Sequence, residues 1–276
     1  MSHAVVRATC ALWTLASWTP LLAADPWADS IVNYTPGANA NPSFTDDSTA
    51  LGEPTRFTSP SSPFGGPTTP FQSAFGSDEV VTIGEGGSLT VRFDEPVTND
   101  ASNPFGIDLL IFGNSSYIDT DFPNGVASTP AALFSEGGTV EVSADGVTFF
   151  LIAGAEADGA FPTLGYKDTT EAFPSTAGTR PTDFTRPVNP NFDASGLNVS
   201  QIVDAYNGSG GGLGIDIGSV GLSSISYVRI ANPVGSGMTP EIDAFADVSV
   251  PAPASAGTLT LGMLALASRR RRASTH

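Results

Sequence analysis

The sequence predicts an all-β protein, an antiparallel β-sandwich of the jelly-roll kind with long Pro/Gly/Thr-rich loops. Three observations lead there. Apolar residues alternate in short runs, Gly, Asp, Asn and Pro bound those runs, and long helical periodicity is nearly absent. The chain of 276 residues carries 30 Gly and 22 Pro, enough turn formers to divide it into many short strands. Short strands without a helical layer bury their apolar faces by packing two sheets together.

The elements follow in chain order. Residues 80–83 read as a strand and Glu85-Gly-Gly87 as a turn. Residues 88–93 alternate, with Leu89, Val91 and Phe93 on one face. Residues 107–112 are almost continuously apolar, as expected of a central strand covered on both faces. Residues 139–143 and 147–152 form a hairpin around Asp145-Gly146, because Gly accepts a positive φ without steric cost. Residues 198–206 fit a short helix with Ile202, Val203 and Tyr206 on one side. Residues 225–230 and 242–248 supply the last strands. The stretches 55–75 and 166–191, rich in Pro, Thr, Ser and Phe, read as long loops or insertions.

Both ends read as addresses. Residues 1–24 have Arg7, an apolar stretch and the small pair Ala23-Ala24, the pattern of a secretory signal peptide. Residues 250–276 hold Val250-Pro251-Ala252-Pro253, an apolar run and the cluster Arg269, Arg270, Arg271 and Arg272. A membrane span takes about 20 apolar residues. This run is shorter and diluted by Ser, Gly and Thr, so it predicts only transient membrane contact, with the arginines on the cytoplasmic side. The β-sandwich domain is then 25–249.

The tail resembles the PEP-CTERM sorting signal of Gram-negative bacteria, with Ala252 where that family usually has Glu. The resemblance implies an exosortase-type transpeptidase as partner, acting through Pro251, Pro253 and the arginines. It also implies export to the cell surface, outer membrane or extracellular matrix. Several segments of the domain resemble cell-surface proteins that carry such tails. They are Ala28–Gly37, Ala50-Leu-Gly-Glu-Pro54, residues 83–93, residues 140–146, Tyr227-Val-Arg-Ile230 and residues 241–245. The resemblance implies a discoidin-like or galactose-binding-like sandwich. Those proteins often show Phe-Glu-Asn where this chain has Phe112-Gly113-Asn114.

Without its ends the chain keeps no Cys and no His, because Cys10, His3 and His276 all lie there. It keeps all 28 acidic residues but loses Arg7 and Arg269 to Arg272, leaving six of 11 basic ones and a net charge of about −22 against −17 for the whole chain. Imidazole- or thiol-based catalysis, structural zinc and disulfides are excluded on these grounds. A nucleic-acid partner is disfavoured by the scarcity of Lys and Arg. Oxygen ligands remain, and they suit calcium.

Two calcium readings arise. Asp29 and Asp243, near the two ends of the domain, and Asp216, before the penultimate strand, form one candidate set. The alternative is that Asp243 accepts backbone hydrogen bonds and Asp29 caps a turn. The run Asp119-Thr-Asp121-Phe-Pro-Asn-Gly125 resembles the start of an EF-hand loop, although Pro123 intrudes and a surface turn fits it as well. For extracellular polysaccharide, Tyr117 and Tyr166 are the candidates, since both lie in loop-like sequence. The overall expectation is a non-enzymatic exported protein, with a carbohydrate-binding module as the alternative. A glycoside hydrolase acting through paired carboxylates comes third, and it requires an acidic cleft.

Overall fold

A computed structural model describes residues 25–248, so the signal peptide and the tail with Pro251, Pro253 and Arg269 to Arg272 lie outside the described residues. The strands are β1 (Ser30–Thr35), the short pair β2 (Phe57–Thr58) and β3 (Gly66–Pro67), β4 (Val81–Thr82), β5 (Ser88–Thr98), β6 (Leu109–Gly113), a second short pair β7 (Ser116–Tyr117) and β8 (Leu133–Phe134), β9 (Gly137–Ser143) and β10 (Phe150–Asp158). The helix α1 (Val199–Tyr206) precedes β11 (Leu213–Ile215), β12 (Ser224–Ala231) and β13 (Glu241–Asp247).

Two antiparallel sheets form the sandwich. One has five strands in the order β1-β5-β12-β9-β10, the other four in the order β11-β6-β13-β4. Leu89, Val91 and Phe93 of β5 face inward as their alternation requires, beside Val140 and Val142 of β9 and Val228 and Ile230 of β12. The four-stranded sheet answers with Leu109, Ile111, Ile242 and Phe245.

The four-stranded sheet is buried on its other face too. Leu110 and Phe112 of β6 and Ala244 and Ala246 of β13 pack there against Trp27, Ile107 and Phe184. This is why residues 107–112 lack polar alternation. The two faces of β13 are out of simple alternation because the register with β6 shifts between Ile242 and Ala244. Asp243 is the extra residue of this bulge. The chain enters beside β13, with Trp27 bridging Ala246 and Asp247 N donating to Pro26 O at 2.7 Å, before β1 joins the other sheet.

The stretches 55–75 and 166–191 are irregular, as expected, yet they are packed. Phe71, Leu164, Ala172 and Val188 form a further apolar cluster with Val199, Ile202, Val203 and Tyr206 of α1. The helix is held at its start by a capping box, in which Asn198 accepts from Gln201 N and Gln201 accepts from Asn198 N. We expect Asn198→Ala to cost about 1 kcal/mol in urea denaturation.

The β9–β10 hairpin turns at Asp145-Gly146 as expected. Asp145 Oδ1 accepts from Val147 N and Thr148 N, both at 2.8 Å. These bonds hold its carboxyl below the usual range. They also delay the second strand to Phe150, three residues later than the apolar run begins. Gly146 has φ +73° and lies on the Tyr227 ring, where an added Cβ would come within 3.0 Å.

Candidate functional site

The sequence-derived calcium set does not assemble. Asp29 is exposed, and its Oδ2 accepts from Asp94 N at 2.7 Å, which fastens β1 to β5. Asp216 is exposed ahead of a 3-10 turn, Ile217–Val220. Asp243 is buried and takes both the N–H and the hydroxyl of Thr55, at 2.9 and 3.0 Å. Burial raises it to about 7, the Thr55 donors pull it back, and the Glu79 charge adds to the rise. Asp243 thus accepts a backbone hydrogen bond, from Thr55 N, whereas Asp29, expected to cap a turn, accepts from Asp94 N of β5. Among the described residues, no group of three or more Asp, Glu, His or Cys is gathered so that it could hold a metal ion.

Asp119 and Asp121 build a turn. Asp119 Oδ1 accepts from Asp121 N and Val126 N, both at 2.9 Å, and its Oδ2 accepts from Gly125 N at 3.1 Å. Asp121 Oδ2 accepts from Asn124 Nδ2 at 3.2 Å. The acidic oxygens are directed at the loop's own donors, and the result is to present Phe122 at 74 % exposure.

Tyr117 is not a surface ligand residue. It is buried, its ring 6.1 Å from that of Phe71, and burial pushes its hydroxyl up to about 12. Tyr166 is half-buried and bridges Pro181. The aromatic surface is made of phenylalanines instead. Phe64, Phe71, Phe75, Phe122 and Phe173 line a cleft of about 500 Å3, with Gln72 and Ser73 among its polar groups. Phe64 is 80 % exposed, and the Phe122 and Phe173 rings stand 5.3 Å apart. Exposed phenylalanines clustered in one cleft are unlike isolated surface apolar residues and make this the candidate interaction surface.

Polar side chains fix the loops that carry these rings. Thr69 Oγ1 donates to Ala172 O at 2.6 Å and accepts from Phe71 N and Gln72 N. Buried Glu79 accepts from Thr58 Oγ1 at 2.6 Å, from Gly76 N at 2.8 Å and from Phe75 N at 3.2 Å, and also from Ser59 N. Asp119 holds the third loop. Of the acids that make the sequence look metal-binding, Asp119 is the one that helps to set the aromatic cleft.

A second cleft, about 430 Å3, adjoins the first at Ser73. Three strand ends bring its acids together. Glu136 precedes β9, Glu241 opens β13, and Asp158 closes β10 opposite Gly137. Glu136 and Glu241 line the cleft. Glu241 accepts from Thr82 Oγ1 at 3.1 Å and from Asn114 Nδ2. Asp158 lies behind them, fully buried. Its Oδ2 accepts from Glu136 N at 3.2 Å, and its Oδ1 has no hydrogen-bond partner. Burial, then the charges of Glu241 and Glu136, raise Asp158 to about 7. Burial and Glu241 also raise Glu136.

Gly113 makes this arrangement possible. A Cβ there would come within 2.5 Å of Asp158 Oδ1 and 2.9 Å of Glu241 O. The Asp158 carboxylate fills the space that a side chain at Gly113 would take. Pairwise sequence reasoning misses this cluster because its members lie 22 to 105 positions apart. The only local signal for the aromatic cleft is the recurrence of Phe in segments that do not alternate. No family model matches this chain, and no curated protein matches it.

Proposed function

We propose that this is an exported, non-enzymatic protein of the cell surface or extracellular matrix, and that its sandwich binds a neutral polysaccharide in the phenylalanine cleft. The observation that carries this reading is the exposure of Phe64, Phe75, Phe122 and Phe173 around one concave surface. Apolar ring faces suit the C–H faces of a sugar, and the neighbouring Gln72 and Ser73 suit its hydroxyls. A net charge near −22 repels anionic polymers, which favours a neutral glycan. The signal peptide and the PEP-CTERM-like tail support delivery to that compartment and processing by an exosortase-type enzyme.

The acidic cleft supports a binding role over hydrolysis. A glycosidase needs two carboxylates free to act across a sugar. Here both Glu241 oxygens are held by Thr82 and Asn114, and Asp158 is sealed from solvent. A glycan array is expected to show saturable binding to one class of neutral sugar, and an array without any such binding would overturn the reading. For the sorting part, intact-mass analysis of native material is expected to show a chain lacking Arg269 to Arg272. A mass that retains them would refute processing.

A further inference from the structure

We propose that the glycan site continues from the phenylalanine cleft past Ser73 into the second cleft, where Phe134 stacks a further sugar ring, so that the ligand is an internal stretch of a linear neutral polysaccharide. This inference rests on the glycan reading of the phenylalanine cleft and adds a second subsite to it.

The first observation is Phe134. Its ring is 67 % exposed although it belongs to a strand. The pairing of β7 with β8 explains why. Tyr117 and Leu133 are partners in that register, and both pack on the apolar cluster that includes α1. Ser116 and Phe134 are the other pair, and their side chains share the opposite face of the ribbon. An aromatic ring and a hydroxyl thus stand side by side where no core covers them.

The second observation is the lining around that ring. Phe134 and Met238, the latter 48 % exposed, give the cleft an apolar part, and Ser116, Ser135 and Glu136 give it a polar one. The hydroxyls of Ser73, Ser116 and Ser135 are engaged by no protein group among the described residues. Glu136 accepts only a long bond from Thr239 Oγ1, at 3.5 Å. A sugar ring has the matching pattern, with a C–H face for the negative face of the aromatic ring and hydroxyls for the polar groups. No Lys, Arg or His lines either cleft, so neither offers a counter-charge to an anionic sugar.

The third observation is continuity. Ser73 lines both clefts, which measure about 500 and 430 Å3. Each is the size of a site for a drug-like ligand, roughly two or three sugar rings. A chain that occupies both is about twice that length. Phe64 and Phe134, one in each cleft, are open to solvent. Open stacking platforms suit a chain that passes along them, whereas a chain end calls for an enclosed pocket. Two weak subsites on one chain make the second contact intramolecular, so affinity rises with chain length.

The probes are the tri- and hexasaccharides of cellulose, laminarin, amylose and mannan, titrated by calorimetry. In at least one series the hexasaccharide is expected to bind about tenfold more tightly than the trisaccharide. Phe134→Ala, at an exposed position, is expected to keep the melting temperature and to bring the hexasaccharide down to the affinity of the trisaccharide. Phe122→Ala is expected to weaken both lengths. Phe105→Ala, which removes an exposed ring that lines neither cleft, is expected to change neither. A hexasaccharide no tighter than its trisaccharide, or a length gain retained in Phe134→Ala, would overturn the second subsite and leave the glycan reading standing. Binding at neither length in any series, or binding indifferent to Phe122→Ala, would overturn both.

Discussion

Replacing Phe184 by alanine is expected to destabilise the protein by about 3–5 kcal/mol. Phe184 sits in a stretch that reads as a Pro-rich insertion, yet it is completely buried. Its ring meets Phe112 of β6 edge-on at 5.3 Å, and the Arg56 guanidinium lies 4.0 Å above its centroid. The backbone around it is fixed by Asp183 N donating to Gly208 O and Gly210 N donating to Asp183 O, both at 2.9 Å. Gly210 is pressed onto the ring, and a Cβ there would fall 2.0 Å from Cδ1. Truncation therefore opens a cavity that the surroundings cannot close, and it also removes a cation–π contact. Phe64→Ala, at 80 % exposure, is expected to change stability by no more than about 0.5 kcal/mol. Urea denaturation of both variants checks the contrast. A loss below about 1 kcal/mol at Phe184 would mean that the insertion merely drapes over the sheet.

The second large effect is on pH. Asp243 and Asp158 are both raised from 3.8 to about 7, chiefly by burial. The folded state thus holds their protons more tightly than the unfolded chain does. The stabilisation is fully present below the unfolded value and is lost as pH rises from about 4 through about 7. For each group the cost of ionisation is on the order of 4 kcal/mol, an upper figure because relaxation and water entry reduce it. Asp145 and Asp168, exposed and hydrogen-bonded in turns, have lowered values and act in the opposite sense, so stability also falls as pH drops through theirs. In chelator, the urea midpoint is expected to peak in mild acid and to fall between pH 5 and pH 8. Asp243→Asn is expected to remove about half of that fall. A midpoint that rises over the same interval would contradict the buried protonated carboxyls.

The strands were legible because their cause is local. Leu89, Val91 and Phe93 alternate, residues 107–112 do not, and burial on one face or on both follows from that difference. Asn198 and Gln201 announce the helix by a spacing of three. The clefts depend on contacts that no window contains. Thr69 reaches Ala172, Thr55 reaches Asp243, and Asp158 meets Glu136 and Glu241 only where three strand ends coincide. The acids singled out from the sequence were those near motif-like neighbours. Asp29 and Asp119 satisfy backbone donors and Asp121 accepts from the Asn124 side-chain amide, which is how short acidic runs near turns are most readily used. Tyrosine was favoured as a sugar platform, whereas Tyr117 is buried beneath Phe71 and the exposed rings are phenylalanines.

The central claim is that the phenylalanine cleft is a binding surface for neutral glycan. It is tested most directly by calorimetry with the oligosaccharide selected on the array, using the wild type, Phe122→Ala and Phe173→Ala. Both rings stand at the cleft wall outside the main core, so these variants are expected to fold. The account predicts that each loses at least tenfold in affinity, about 1.4 kcal/mol, with the melting temperature nearly unchanged. Wild-type affinity in both variants would contradict it.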